Sequence, residues 1–150
     1  MELSKAKILA NELIKYHQLT GWYFEYDNSV RRFGVCSHKK MKIGLSKNIT
    51  LLNDESKVRD TILHEIAHAL VGVNHGHDRT WKRKAIEIGC NGMRCYESEE
   101  VVTPPKKWIA ICPKCKTEFH RHRGKNTPSS CGKCSNGKYN LDYKLVFNRI

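Results

Sequence analysis

Two histidines four residues apart, with a glutamate directly after the first, form the run His64-Glu65-Ile66-Ala67-His68. On a helix such a pair lies one turn apart, with Cβ atoms about 5–6 Å from each other. Both imidazoles can then reach one zinc ion at about 2.0–2.1 Å. A glutamate beside them is placed to deprotonate a water polarised by the ion, which makes that water a nucleophile for a peptide carbonyl. Catalytic zinc usually takes three protein ligands and leaves one position to water, so a third donor is needed. Position 74 is Asn, which excludes a histidine six residues after His68. His75, His77 and Glu87 are the candidates. His77 is preferred, because Gly76 frees the loop before it and Asp78 can begin the next helix. Glu87, near Lys82, Arg83 and Lys84, reads as part of a solvated helix face. His75 reads as a solvated loop histidine or a partner of a ligand.

A second pattern stands near the end of the chain. Cys112-Pro113-Lys114-Cys115 is followed, after fifteen residues, by Cys131-Gly132-Lys133-Cys134. This is the spacing of a four-cysteine zinc ribbon, in which each pair forms a tight knuckle around one tetrahedral ion. Four thiolates leave no open position, so this site is structural. Two zinc ions per chain are expected, one catalytic and one structural. The remaining thiols, Cys36, Cys90 and Cys95, read as buried small apolar groups.

Charge divides the chain unevenly. Residues 101–150 carry 11 Lys and Arg against Glu118 and Asp142, a net +9, whereas residues 1–100 carry 16 against 13, a net +3. A basic ribbon suits a phosphate backbone. Lys114 and Lys133 in the knuckles, and Arg121, Arg123 and Lys125 in the intervening loop, are its candidate contacts. Trp108, Phe119, Tyr139 and Tyr143 could add base stacking and favour single strands. No recognition helix is evident, so binding without sequence preference is expected.

The elements that must position these groups follow from patterning. Residues 3–18 carry Leu3, Ala6, Leu9, Ala10, Leu13 and Ile14 at helical spacing. Residues 22–26, 31–37 and 41–46 read as three strands, with turns at Asp27-Asn28-Ser29 and His38-Lys39-Lys40. The motif helix is expected from Asn53, as N-cap, to Gly72, as its stop. Val58, Ile62, Leu63, Ile66, Ala69 and Leu70 form its apolar arc, with the two histidines opposite. Val101-Val102-Thr103-Pro104-Pro105 opens a linker over residues 101–107. Segments 108–111, 117–121 and 139–147 would supply the strands of the ribbon. The expected fold is α+β: a small zincin-type domain over residues 1–100, with helices and a short three-stranded sheet, then a small β zinc ribbon over 108–150. No run of roughly 18 apolar residues suggests a membrane span. The first residues lack the apolar core of a secretory signal, and the paired cysteines fit metal binding in a reducing compartment. A cytoplasmic monomer is expected.

The motif residues resemble the SprT-like (Spartan-type) family of zinc metalloproteases. The resemblance rests on His64-Glu65-x-x-His68, then Gly76-His77 and Trp81, and extends to Gly21-Trp22, Arg31-Arg32-Phe33-Gly34 and Ile43-Gly44-Leu45-Ser46. It implies His64, His68 and His77 as zinc ligands, Glu65 as general base and a packing role for Trp81. It also implies an endopeptidase acting on proteins bound or crosslinked to DNA. A C-terminal four-cysteine unit recurs in bacterial and phage members, which implies a nucleoid-associated setting. By the same resemblance, the strand over 41–46 would lie along the cleft and pair with substrate backbone. Because the charge is concentrated in the ribbon, DNA is expected to gate the cleft. A reading from another class is a nucleic-acid-binding zinc protein, a scaffold or transcription-associated factor, that keeps the zincin fold without proteolysis. An intact Glu65 favours the enzyme, since a scaffold does not need it.

Overall fold

Short helices and a mixed three-stranded sheet make up the first of two compact units, Met1–Pro104 and Pro105–Ile150, in the computed structural model. The structure describes residues 1–94, 101–124 and 126–150. Cys95 and Lys125 lie outside the described residues.

In the first unit, α1 (Leu3–Tyr16) buries Ala6, Ala10, Leu13 and Ile14 and packs on the motif helix and the first strand. The sheet contains β1 (Tyr23–Asp27), β2 (Gly34–Ser37) and β3 (Lys42–Ser46) in the order β1-β3-β2. β1 runs parallel to β3, with Phe24 opposite Ile43, and β2 runs antiparallel to it, with Val35 opposite Gly44. This order corrects the expectation for the strand over 41–46. β3 is central and its backbone is paired on both sides, so it offers no edge to a substrate. The edge strands are β1 and β2, and of these β2 packs against the motif helix, with its edge beside His64 and Glu65. Phe33 O accepts from Ser46 N–H at 2.8 Å, so Gly34 and Cys36, out of phase with Phe33, turn their backbone groups to that edge.

A helix not anticipated from the sequence, α2 (Lys47–Leu52), follows β3 without a loop. Ser46 makes this possible: its Oγ accepts from Ile49 N–H at 3.1 Å and donates to Ser29 O at 2.6 Å. The motif helix α3 (Glu55–Val71) is therefore capped by Asp54, whose Oδ1 accepts from Lys57 N–H at 3.0 Å, and not by Asn53. Asn53 has other partners. Its amide donates to Ile49 O and Val102 O, and its oxygen accepts from Val102 N–H at 2.9 Å. Val102, read from the sequence as linker, is thus clamped to the first unit. Gly72, with φ +87°, ends α3 where expected, and α4 (Arg79–Glu87) follows. Ile43, Leu45, Ile49, Val58, Ile62, Ile66, Trp81 and Ala85 form the center of the core. Leu70, expected on the apolar arc, is 37% exposed at the helix end.

The second unit pairs β4 (Trp108–Ile111) with β5 (Glu118–Arg121) and with the short β6 (Asn148–Arg149). The strand expected over 139–147 is instead a 3-10 turn, Leu141–Tyr143, and extended chain. Ala110, Cys112, Cys131 and Leu145 are its buried residues, with Phe119, Tyr143 and Phe147 packed around them. So small a core needs a staple. The chain is α+β, and no helix among the described residues is long and apolar enough to cross a membrane.

Candidate metal centres and cleft

Helix α3 presents His64 and His68 on its half-buried side, while the loop after Gly72 returns His77 to meet them. His77 Nε2 lies 2.9 Å from His64 Nε2 and 3.1 Å from His68 Nε2. One ring nitrogen carries at most one proton, so two such contacts at a single Nε2 are not a pair of ordinary hydrogen bonds. Three lone pairs aimed at one point suit a shared cation. Tetrahedral geometry at the usual Zn–N length sets N···N near ~3.4 Å, within about half an ångström of the two separations. The three donors form one candidate metal group.

Protonation is consistent with this. Burial, then the charges of neighbouring histidines, lowers the pKa of His64 and of His68 to about 4. His77 is lowered by burial and by Arg94. All three rings are neutral at neutral pH and have lone pairs to give. Backbone partners set their orientation. His64 hydrogen-bonds the backbone of Met93 and His68 that of His75, each contact favouring the protonated ring. A backbone group with that effect is a carbonyl, which leaves Nε2 as the ligating atom. Trp81, 1% exposed, lies beneath the rings at 4.6, 5.1 and 4.6 Å from His64, His68 and His77, stacked on His68. Asp78 starts α4 as expected, accepting from Trp81 N–H at 2.9 Å, and contacts His75 Nδ1 at 2.7 Å. His75 is thereby a partner and not a member of the metal group. Glu87 is exposed and pairs with Lys84.

Glu65 is 9% exposed, and burial pushes its carboxyl up to about 8, against the opposing pull of Arg32 and of the Cys36 N–H. That N–H lies on the open edge of β2, so strand and helix meet through the Glu65 carboxylate. Gly34 makes the approach possible: a Cβ there would stand 2.6 Å from Glu65 Oε1 and 2.8 Å from Thr61 Cγ2.

Several contributors were invisible in the sequence. Asp60 Oδ1 accepts from Asn91 N–H at 2.7 Å, and Asn91 Oδ1 accepts from Met93 N–H at 2.8 Å. This chain of contacts holds the loop whose Met93 carbonyl orients His64. His38 Nε2 lies 3.0 Å from His68 O and braces the end of α3. Only the glycine-rich run 89–92 hinted at a tight loop near the site. Cys90 is buried in the core as expected. Cys36 is half-buried and also lines the cleft wall. Burial pushes both thiols up to about 12.

In the second unit, Cys112 Sγ lies 3.8 Å from Cys134 Sγ, and Cys115 Sγ lies 3.6 Å from Cys131 Sγ. A Zn–S length of about 2.3 Å implies S···S near ~3.8 Å around a tetrahedral ion, and a disulfide is far shorter. The four sulfurs form the second candidate metal group. Hydrogen bonds from Thr117 lower the Cys115 thiol to about 6. Of the basic candidates, Lys114, Arg123 and Lys133 are exposed. The Arg121 guanidinium sits 4.3 Å over the Phe147 ring, and Lys114 Nζ 5.2 Å over Tyr143. Among the aromatics, Phe119 and Tyr143 pack on the ribbon core and Trp108 is half-buried, while Tyr139 is 54% exposed.

A helix-borne His-x-x-x-His pair completed by a histidine from the following loop, beside a small mixed sheet, is the arrangement of a zinc metalloprotease-type domain. The chain belongs to the SprT-like family, whose model matches residues 8–102. No curated protein and no solved structure matches it.

Proposed function

We propose that this chain is a zinc endopeptidase acting on proteins bound or crosslinked to DNA. The observation that carries the reading is the convergence of three imidazole nitrogens next to a buried carboxylate held against an open strand edge. His64, His68 and His77 would hold the zinc, which when bound supplies Lewis acidity that brings a water toward ionisation near neutral pH. Glu65 would act as general base: it takes the proton from the attacking water and returns it to the departing amine. Burial suits this role, because a carboxylate shielded from water has a higher proton affinity than a free one. The open edge of β2, residues Gly34–Ser37, would bind extended substrate by backbone pairing, which carries little sequence preference. Cys112, Cys115, Cys131 and Cys134 would hold the structural zinc. The ribbon, through Lys114, Arg121, Arg123, Lys125 and Lys133, would bind DNA without reading its sequence, and DNA would gate cleavage.

The test compares zinc-loaded wild type with Glu65→Gln on a basic DNA-binding protein, with and without single-stranded DNA. DNA-stimulated cleavage that disappears in the variant, while zinc content is kept, is the expected result. Tight salt-sensitive DNA binding with no cleavage by wild type would instead leave a non-proteolytic binding protein.

A further inference from the structure

Among the described residues, the cleft beside the histidine cluster has a one-sided charge. A cavity of about 480 Å³ opens next to His64, Glu65 and His77, with Phe33 and Met93 among its apolar lining and Arg31, Arg32 and Arg94 around it. Glu65 is the only carboxylate among the described residues of that lining, and it is buried. Arg32 is engaged with Asp27. Arg31 and Arg94 are exposed and have no acidic partner among the described residues. Arg94 lines the same cavity as His77, the third histidine.

Both arginines sit on anchored loops. Ser29 Oγ accepts from Arg31 N–H at 3.3 Å and Arg32 N–H at 3.2 Å, and Ser29 N–H in turn donates to Asp27 Oδ1 at 2.8 Å. Arg94 follows the loop tied down by Asp60 and Asn91. Gly92 lets that loop close on α4, where a Cβ would stand 2.9 Å from Ile86 Cγ1. Two guanidiniums lining one cavity with an apolar floor, with no carboxylate partner among the described residues, can receive a planar anion.

We propose that Arg31 and Arg94 determine specificity in this cleft by binding a carboxylate of the polypeptide substrate, from an acidic side chain or a free C-terminus, close to the bond that is cut. The proposal rests on the proteolytic reading above. A nucleic-acid phosphate is the competing anion. It fits less well, because the described residues of the cleft offer no exposed aromatic ring for base stacking.

The test uses the zinc-loaded full chain and fluorogenic peptides carrying Glu, Gln or Lys in turn at each of three positions on either side of the cut. A second set has free or amidated C-termini. At one position Glu should exceed Gln by about tenfold or more in kcat/KM, the size of a charge-assisted hydrogen bond. Alternatively the free terminus should exceed the amide by the same factor, and the two arms separate the sources. Arg31→Ala and Arg94→Ala should each erase most of that ratio, while Arg31→Lys keeps part of it. Peptide binding to Glu65→Gln, read by anisotropy, should show the same ratio. Arginine-dependent binding of acidic peptides without cleavage by wild type would uphold this site and remove the proteolytic reading. An equal rate for Glu and Gln peptides, or a ratio unchanged in both alanine variants, overturns the proposal. So does loss of oligo-dT binding in those variants with peptide preference intact, which would assign the arginines to nucleic acid.

Discussion

Replacing Gly34 with alanine adds a single methyl group and strikes the proposed base, Glu65, without touching a candidate metal ligand. The new Cβ would lie 2.6 Å from Glu65 Oε1, 2.8 Å from Glu65 Cγ and 2.8 Å from Thr61 Cγ2. Ordinary contacts begin near 3.4 Å, so the carboxylate must retreat by most of an ångström or β2 must move outward by as much. Either movement separates Glu65 from the Cys36 N–H and from the position of the attacking water. A displacement of about 1 Å in a catalytic group can cost on the order of 100-fold in rate. Overpacking of this kind costs about 1–3 kcal/mol of stability, and each kcal/mol lowers Tm by about 4–8 °C in a unit of this size. Three measurements on one preparation separate the effects: zinc content, the circular-dichroism melt and kcat/KM on a peptide substrate. Full zinc occupancy with a folded spectrum and a rate down by about two orders of magnitude is the expected result. Gly76→Ala is the control, since a Cβ there meets nothing within 4 Å. If Gly34→Ala kept wild-type kcat/KM, the reasoning that β2 positions Glu65 as the base would be refuted.

Four further outcomes are expected. In metal-free protein, folded His64 and His68 hold their protons only below about 4 against an ordinary 6.5, so stability is lost as pH falls through that window. Glu65 acts the other way: its folded value of about 8 against 4.5 means stability is lost as pH rises toward 8. Two histidines outweigh one carboxyl below pH 6.5, so Tm should peak near there, and Glu65→Gln should lose the alkaline decline; a Tm rising steadily to pH 8 would contradict this. Asp60→Ala, which frees the Asn91–Met93 loop, should weaken zinc at the histidine site by about 10–100-fold in chelator competition. Metal analysis should give two zinc ions per chain, with one lost in His64→Ala/His68→Ala and the other in Cys112→Ser, which should also unfold the ribbon. Lys133→Ala and Arg123→Ala should each lower the salt slope of DNA binding by about 1 without changing base preference.

What could be read from the chain alone was set by local geometry. A four-residue spacing on a helix brings two imidazoles together whatever surrounds them, and Cys-x-x-Cys folds into a knuckle within a few bonds. His77 was reachable in the same way, because the helix stop at Gly72 and the cap at Asp78 leave a short loop between α3 and α4. The caps were less legible, since Asn53 and Asp54 are both good N-caps and only the contacts of Asn53 with Ile49 and Val102 decide between them. Residues 139–147 have the composition of a strand, yet β4 takes its other partner at Asn148–Arg149. Strand order was decided entirely by tertiary structure. β1 and β3 pair in parallel across an intervening strand, which makes β2 an edge strand and brings Gly34 against Glu65, a contact across 31 positions of sequence. The same holds for the Asp60–Asn91–Met93 contacts that orient His64, and for Arg31 and Arg94 meeting at one cleft. Local spacing specifies which atoms can bind a metal. The burial, orientation and electrostatic setting of those atoms depend on partners distant in sequence, and no local pattern encodes that proximity.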